Sequence, residues 1–217
     1  MKKIGVILSG CGFLDGSEIH ESVATLLAID KAGAQAICMA PNISFDEINH
    51  LNKEPTGKKR NVLEESARIC RGDIKDLKDV KASDFDALIL PGGYGAVKNL
   101  SDFAFKGTDA KVQPEVDRLV KETIAAKKPL GAICIAPATI AVILGKSISP
   151  TLTIGNDEGT AQALEKLGCK HQNCEVQNIV IDEKNKIVTT PAFMLTKRVS
   201  EAFEGIEKLV KEVIRLC

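Results

Sequence analysis

The residue with the clearest chemical potential is Cys134, which follows a short apolar run and precedes a helix-like pattern. Residues 129–137 have the sequence Pro-Leu-Gly-Ala-Ile-Cys-Ile-Ala-Pro. This pattern predicts a buried strand, a tight turn that carries the thiol, and then a helix. Free N–H groups and positive dipole potential at a helix start favour a thiolate. The local sequence therefore fits a nucleophile at Cys134 and an inert buried cysteine equally well.

A glycine-rich turn, Pro-Gly-Gly-Tyr-Gly at residues 91–95, follows another apolar run. Glycines let the backbone approach a ligand closely and present N–H groups to an oxyanion. Gly92 and Gly93 are therefore candidates for an oxyanion site. A tight strand-to-helix turn with no ligand is the alternative, and the local sequence fits both.

A carboxyl group, Glu18, follows the first apolar run of the chain. In its protonated form such a group can donate a hydrogen bond to a thiolate and shuttle a proton. The other interpretation is a capping box, in which Asp15 caps a helix and Glu18 occupies the third helical position, and the local sequence taken alone favours it.

Cys169, His171 and Cys174 suggest a metal site because thiolates and imidazoles are zinc ligands. Zinc needs about four ligands in tetrahedral geometry, and no second cluster supplies the fourth. A strand with incidental thiols is the favoured interpretation, and the sequence predicts no metal and no cofactor. His20 and His50 are isolated, and we interpret both as surface or loop residues.

The elements that must position these residues alternate between strands and helices. This alternation predicts a mostly parallel sheet with helices on both faces. Loops that carry glycine or the thiol follow residues 8, 90 and 133, at the strand ends where such sheets bind ligands. Apolar residues at 19, 23, 26 and 27 form one face of the first helix. Strands are predicted at 4–8, 35–40, 86–90, 130–133 and near 152–154, a hairpin at 178–190, a loop or small hairpin at 49–60, and helices from 19 to 33, at 61–69, 112–126, 138–144, near 160–167 and at 195–216.

Composition restricts the class of protein. The chain has 217 residues, 44% of them hydrophobic and 4% aromatic, with 29 basic and 29 acidic residues. This predicts one α/β domain over residues 1–217 and disfavours nucleic acid and membranes as partners. An odd number of cysteines, seven, indicates a reducing compartment rather than a disulfide framework. The protein is expected to be soluble and cytoplasmic.

Several motifs carry a family resemblance. Leu-Pro-Gly-Gly at 90–93, Ala-Ile-Cys-Ile-Ala-Pro at 132–137 and Gly-Ser-Glu at 16–18 resemble the ThiJ/PfpI branch of the class I glutamine amidotransferase-like superfamily. Residues 2–12, 15–21, 152–155 and 186–192 resemble the ElbB family more closely. The resemblance extends over the whole chain. It implies a three-layer, flavodoxin-like α/β sandwich with a small added hairpin, and a homodimer.

The resemblance also implies roles for individual residues. Cys134 is the implied nucleophile and Glu18 its partner carboxyl, and the backbone of Gly92 and Gly93 is the implied oxyanion site. Two further oxyanion- or substrate-binding positions are expected, Ile135 and Cys11. Proteins like this are described as glyoxalase III-type lyases, which convert glyoxal to glycolate without a cofactor, and are named for a link to isoprenoid biosynthesis. The implied partner is a small-molecule aldehyde substrate.

The chain departs from its wider relatives where a histidine base would be expected. Ile135 takes the place of the histidine that follows the cysteine in PfpI-type hydrolases, and Ala136 replaces the second glycine of the amidotransferase motif. Residues 153–156 also lack the histidine of other members. Hydrolysis of an amide is therefore disfavoured.

Addition to a carbonyl group demands less of the site. A thiolate adds to an aldehyde and gives a hemithioacetal, a carboxylate moves a proton through an enediol, and the resulting thioester is hydrolysed. The sequence thus predicts a glyoxalase-like enzyme acting on small 2-oxoaldehydes. A thiol-based redox or ligand-binding sensor and a glutaminase-like subunit completed by a partner are the alternatives.

Overall fold

A computed structural model describes all residues, 1–217, and its strands form one large sheet and two small ones. The strands are β1 (Lys3–Ile7), β2 (Gln35–Ala40), β3 (Ser44–Ile48), β4 (Pro55–Asn61), β5 (Lys75–Asp76), β6 (Ala87–Leu90), β7 (Leu130–Ile133), β8 (Thr151–Leu152), β9 (Lys170–His171), β10 (Val180–Asp182) and β11 (Ile187–Thr190). The central sheet has the order β10-β11-β7-β6-β1-β2-β5. Only β10 runs antiparallel to its neighbour there.

Helices cover both faces of this sheet. They are α1 (Ile19–Lys31), α2 (Val62–Ile69), α3 (Gly95–Lys98), α4 (Phe103–Lys106), α5 (Pro114–Ala125), α6 (Ala136–Ile148), α7 (Glu158–Lys166) and α8 (Val199–Leu216). Side chains of α1, α2 and α8 pack into one core cluster, and those of α3, α5, α6 and α7 pack into another on the opposite face. The predicted three-layer, flavodoxin-like α/β architecture is confirmed.

The central strands form where the sequence is apolar without interruption. All four residues of β6 and of β7 are buried, as expected for parallel strands covered on both faces. Both strands deliver their carboxyl ends to the same edge of the sheet, together with β1 between β6 and β2. The loops after residues 8, 90 and 133 therefore lie beside one another, as the sequence predicts.

The predicted hairpin at 178–190 is present, and of the two interpretations of 49–60 the hairpin is correct, although its first strand begins earlier, at Ser44. The antiparallel pair β10–β11 extends the edge of the central sheet, and β3–β4 forms a separate two-stranded sheet. The strand expected near 152–154 is shorter than predicted and ends at Leu152. The reason is that the Thr153 N–H donates to the side-chain oxygen of Thr189, 2.9 Å away, instead of to a neighbouring strand backbone.

The closing helix also begins later than predicted, at Val199 rather than Leu195. Residues Ala192–Met194 form a 3₁₀ turn, and the Thr196 hydroxyl then accepts a hydrogen bond from the Arg198 N–H at 2.9 Å. This local side chain-to-backbone bond competes with the helical pattern. None of the helices combines the length and the apolar character that crossing a membrane requires.

Candidate active site

Cys134 occupies the turn between β7 and α6. Its backbone has a φ of 61°, in the left-handed region that a non-glycine residue rarely adopts. The Cys134 N–H donates to the Thr190 carbonyl at 2.9 Å, and Pro137 lies in the first turn of α6. Backbone strain of this kind costs on the order of 1–3 kcal/mol and is concentrated at functional sites. The turn resembles the strained strand-to-helix turn that exposes a nucleophile in other hydrolytic folds.

The Cys134 side chain reaches a cavity of about 530 Å³ at the carboxyl edge of the sheet. Nine of the thirteen residues that line this cavity are hydrophobic. The lining residues are Phe13, Glu18, Gly93, Tyr94, Val97, Phe103, Ala104, Cys134, Ile135, Asp157, Thr160, Phe193 and Met194. Cys134, Glu18, Gly93 and Ile135 from the predicted site are thus brought together in one cavity.

The carboxyl group that lies beside the Cys134 thiol belongs to Glu21, which the sequence analysis did not select. Glu21 lies in the first turn of α1 and its side chain is fully buried. Its Oε2 accepts a hydrogen bond from the Gly92 N–H at 2.9 Å, and its Oε1 accepts one from the Phe193 N–H at 3.4 Å. Three chain segments therefore hold this carboxyl group against the sulfur.

Glu18 has a different position from the one expected of the thiol's partner. It is the N-cap of α1, and its Oε2 accepts a hydrogen bond from the Glu21 N–H at 2.6 Å. Its Oε1 lies 3.0 Å from His20 Nδ1. A side chain does cap this helix, but the cap is Glu18, three residues after the predicted cap Asp15. Glu18 also lines the cavity, so capping and access to a ligand coexist in one side chain.

Burial dominates the electrostatics of the thiol–carboxyl pair. It raises the pKa of Glu21 to about 8, with the negative charge of Glu18 acting in the same direction. Burial, followed by the adjacent Glu21 carboxylate, raises the pKa of Cys134 well above its usual range. The expectation that the helix start favours a thiolate in the free protein is therefore wrong, because desolvation outweighs the N–H groups of Gly93 and Ile135.

The two glycines of the second loop serve different purposes. The Gly92 N–H is used by Glu21 and is not free for an oxyanion. Gly92 must lack a side chain, because a Cβ there would lie 2.5 Å from Cys134 Cβ. Gly93 has a φ of 91°, and its N–H, like that of Ile135, points at the Cys134 sulfur. The available oxyanion donors are therefore Gly93 and Ile135.

Cys11 does not line the cavity. It lies in the loop after β1, where burial and the carboxylate of Glu65 raise its pKa. Cys169, His171 and Cys174 also lie apart from the cavity, and no group of three or more His, Cys, Asp and Glu residues is arranged to hold a metal ion. All seven cysteines are unpaired.

No histidine pairs with the Cys134 thiol. His20 contacts Glu18, His50 contacts the Leu14 N–H and the Ile48 carbonyl, and His171 accepts a hydrogen bond from the backbone N–H of residue 154. The site is thus a cysteine–carboxyl pair rather than a cysteine–histidine dyad.

A family model described as the DJ-1/PfpI family matches residues 13–192. The chain belongs to the DJ-1/PfpI family. This family has diverse functions and includes enzymes, and its matched region contains both Cys134 and Glu21.

Two curated DJ-1/PfpI relatives are similar over almost the whole chain. The ES1 protein homolog, mitochondrial, of Rattus norvegicus is 44% identical, and the alignment covers 99% of this chain and 84% of the relative. The human glutamine amidotransferase-like class 1 domain-containing protein 3, mitochondrial, is 43% identical, over 99% of this chain and 83% of the relative.

One solved structure is also closely similar. The crystal structure of an isoprenoid biosynthesis protein with an amidotransferase-like domain from Ehrlichia chaffeensis is 35% identical to this chain. It superposes with a TM-score of 0.92 over 99% of this chain and 100% of the other.

The names of the curated relatives overturn the expected location. Both are mitochondrial proteins by name, so the prediction of a cytoplasmic protein is wrong. Free cysteines indicate a reducing environment, but they do not distinguish one reducing compartment from another. Receptors recognise targeting segments, so the composition of a folded domain does not determine its localisation.

The helical spacing of residues in α1 contains a sequence signal that could have identified Glu21. Glu21, Ala24, Thr25 and Ala28 recur at helical spacing and all are buried. A glutamate within a row of small residues indicates a carboxyl group that faces the protein interior, where a buried partner must satisfy it. The more apolar row at 19, 23, 26 and 27 concealed this signal.

Proposed function

We propose that this protein is a cofactor-independent glyoxalase of the ElbB type, which converts glyoxal to glycolate through a hemithioacetal on Cys134. One observation carries the proposal: the Cys134 thiol reaches a cavity and lies beside the buried Glu21 carboxyl group. A thiol with a raised pKa needs a base at the moment of attack, and Glu21 is in contact with it.

In the proposed first half-reaction, Cys134 Sγ forms a bond to one aldehyde carbon while its proton passes to the ionised form of Glu21, whose share increases as the pH approaches 8. The carbonyl oxygen takes up the negative charge, and the Gly93 and Ile135 N–H groups stabilise it. Glu21 then donates the proton to that oxygen, which gives a neutral hemithioacetal.

In the second half-reaction, Glu18 is the proposed base for the carbon-bound proton because its carboxylate lines the cavity. Glu18 removes the proton from the hemithioacetal carbon, which gives an enediol, and returns it to the neighbouring carbon. The product is a thioester, and water releases glycolate while Glu21 returns a proton to the sulfur. One carbon is oxidised and the other reduced, so glyoxal and water balance glycolic acid without a redox cofactor.

Two alternatives lack a supporting observation. Hydrolysis of glutamine by a cysteine enzyme uses a histidine base, and no histidine contacts Cys134. A thiol sensor needs a thiolate that oxidises readily, whereas burial raises the pKa of Cys134. The carbonyl-addition chemistry fits this site better than either.

The proposed placement in the ElbB family is supported by the Ehrlichia protein, whose name refers to isoprenoid biosynthesis. The same name supports a link of this chain to isoprenoid biosynthesis as a part of the proposal. The cavity supports the proposed carbonyl substrate and points to no particular step of that pathway.

The test is the rate of glycolate formation from glyoxal by the purified protein in the presence of EDTA. Cys134→Ala and Glu21→Gln are each expected to lower kcat/KM by at least about 100-fold, the usual contribution of a nucleophile or an acid–base group. Cys174→Ala, which removes a thiol that does not line the cavity, serves as the matched control and is expected to retain the wild-type rate. Equal rates for wild type and Cys134→Ala would refute the proposal.

A further inference from the structure

The cavity beside Cys134 is much larger than glyoxal requires. Its volume is about 530 Å³, whereas a water molecule occupies about 30 Å³ in the liquid and glyoxal is about the size of two or three waters. Most of the cavity therefore stays empty or wet when glyoxal is bound. A cavity of this volume is in the range that holds a substantially larger organic ligand.

The chemistry of the walls divides the cavity into a small reactive part and a large apolar part. The reactive part consists of Cys134, Glu18 and Gly93, which adjoin because the Glu18 N–H donates to the Gly92 carbonyl. Four of the eight aromatic residues in the chain line the remainder, together with aliphatic side chains. The apolar lining residues are Phe13, Tyr94, Val97, Phe103, Ala104, Ile135, Phe193 and Met194.

The charged residues that line the cavity are all acidic. The lining includes the carboxylates of Glu18 and Asp157 and no lysine, arginine or histidine. Asp157 caps α7 by accepting a hydrogen bond from the Thr160 N–H at 2.8 Å. Hydrogen bonding to Thr160 lowers the pKa of Asp157, so this carboxylate is negative at neutral pH. A ligand with a carboxylate or phosphate group would meet repulsion without a compensating cation.

We infer that the cavity selects neutral 2-oxoaldehydes that carry an aromatic or branched apolar substituent, with glyoxal as the minimal substrate. This inference rests on the proposed function and specifies its substrate class. The aldehyde carbon reacts with Cys134, the ketone oxygen and carbon take part in the enediol step, and the substituent fills the aromatic part of the cavity. Atoms balance as for glyoxal, because the 2-oxoaldehyde and water give the 2-hydroxy acid.

The first measurement compares alkyl substrates of similar electronic character. For isobutylglyoxal, kcat/KM is expected to exceed that for methylglyoxal by at least about tenfold, because burying the added carbons removes apolar surface from water.

A second measurement tests the charge of the cavity. For phenylglyoxal, kcat/KM is expected to exceed that for para-carboxyphenylglyoxal by at least about tenfold, because the added carboxylate faces Glu18 and Asp157.

Two phenylalanines on α4 provide a matched pair of variants. Phe103 lines the cavity, whereas Phe105, two residues later, is 71% exposed and lies outside it. Phe103→Ala is expected to lower the isobutylglyoxal-to-methylglyoxal ratio of kcat/KM by at least about fivefold. Phe105→Ala is expected to leave this ratio at the wild-type value.

The outcomes separate the substrate class from the proposed function. Glyoxal turnover that depends on Cys134, combined with equal kcat/KM for isobutylglyoxal and methylglyoxal, would overturn the inference and leave the proposed function standing. A preference for para-carboxyphenylglyoxal would overturn it in the same way. Absence of turnover for glyoxal and all four substituted substrates would overturn both.

Discussion

Glu21 is the residue on which the chemistry of Cys134 depends. Its carboxyl group is fully buried and receives backbone hydrogen bonds from two separate loops, at Gly92 and Phe193. Because Glu18 adds a nearby negative charge, the ionised form of Glu21 is further disfavoured. Glu21 is therefore mostly protonated at neutral pH, and the fraction that can accept the thiol proton increases as the pH approaches 8.

This protonation makes the stability of the protein depend on pH in a specific direction. The pKa of Glu21 rises from 4.5 to about 8 on folding, so between these values the folded state binds the proton and the unfolded state does not. The free energy of unfolding is therefore expected to fall as the pH rises through this window. Glu21→Gln lacks the titration and is expected to gain stability relative to wild type by about 5 kcal/mol across this window.

Chemical denaturation at several pH values across the window measures the effect. Glu204→Gln, which removes an exposed carboxyl group on α8, is the matched control and is expected to parallel the wild type. Parallel pH curves for wild type and Glu21→Gln would contradict the raised pKa of Glu21.

At the scale of elements, α8 holds β11 against the active-site turn through a close approach of its backbone. A Cβ at Gly205 would lie 2.5 Å from the Val176 carbonyl oxygen and 2.6 Å from Thr190 Oγ1. Thr190 in turn accepts the hydrogen bond from the Cys134 N–H. The glycine in the middle of this helix is thus required by packing, against the usual helix propensity.

Gly205→Ala is therefore expected to destabilise the protein by about 1–3 kcal/mol, because the helix must move away from β11. Gly159→Ala in α7 is the matched control, since its Cβ would meet no atom nearer than 3.7 Å. That variant is expected to be neutral or to stabilise the protein by up to about 1 kcal/mol. Urea denaturation of the two variants distinguishes these outcomes, and equal stability would contradict the packing argument.

The sequence predicted the elements best where one physical effect dominates. Strands β2 and β7 have the predicted ends, because continuous apolar runs are bounded by a glycine or proline turn or by Cys134. The starts of α5 and α6 each differ by two residues from the prediction, since Pro114 and Pro137 each occupy a first helical turn. The end of β8 depends on the Thr189 side chain, which no local pattern reveals.

The sequence predicted which loops form the site, but it did not predict which carboxyl group lies beside Cys134. Cys134 and Gly93 lie where the strand pattern and the glycine motif indicate. The choice between Glu18 and Glu21 depends on the residue at which α1 begins, and a shift of three residues in the cap exchanges their roles. The raised pKa of Cys134 also follows from burial by three distant segments, which the local sequence does not report.

At the scale of the whole molecule, the apolar stripe of α1 is the surface at which we propose that two copies of the chain associate. Ile19, Val23 and Leu27 are between 43% and 49% exposed, and Val199 and Phe203 of α8 continue the same surface. Exposed apolar side chains on adjoining helices are typical of protein interfaces. The predicted homodimer is therefore proposed to form through α1 and α8, the helices that also support Glu21 and Thr190.

Leu27→Glu is expected to convert the dimer to a monomer, because a charge at the centre of this stripe would be buried without a partner. Leu51→Glu provides the matched control, since Leu51 is 96% exposed and lies outside the stripe. Sedimentation equilibrium gives the masses directly. A monomeric wild type, or a dimeric Leu27→Glu variant, would contradict this surface.

The covalent state of Cys134 during turnover tests the central claim most directly. The measurement is mass spectrometry of the protein quenched while it converts glyoxal. We predict that the peptide containing Cys134 gains the mass of one glyoxal molecule, that this adduct forms and decays at the rate of glycolate production, and that Cys134→Ala shows neither adduct nor product. Glycolate production with Cys134 unmodified, or undiminished in Cys134→Ala, would contradict the account.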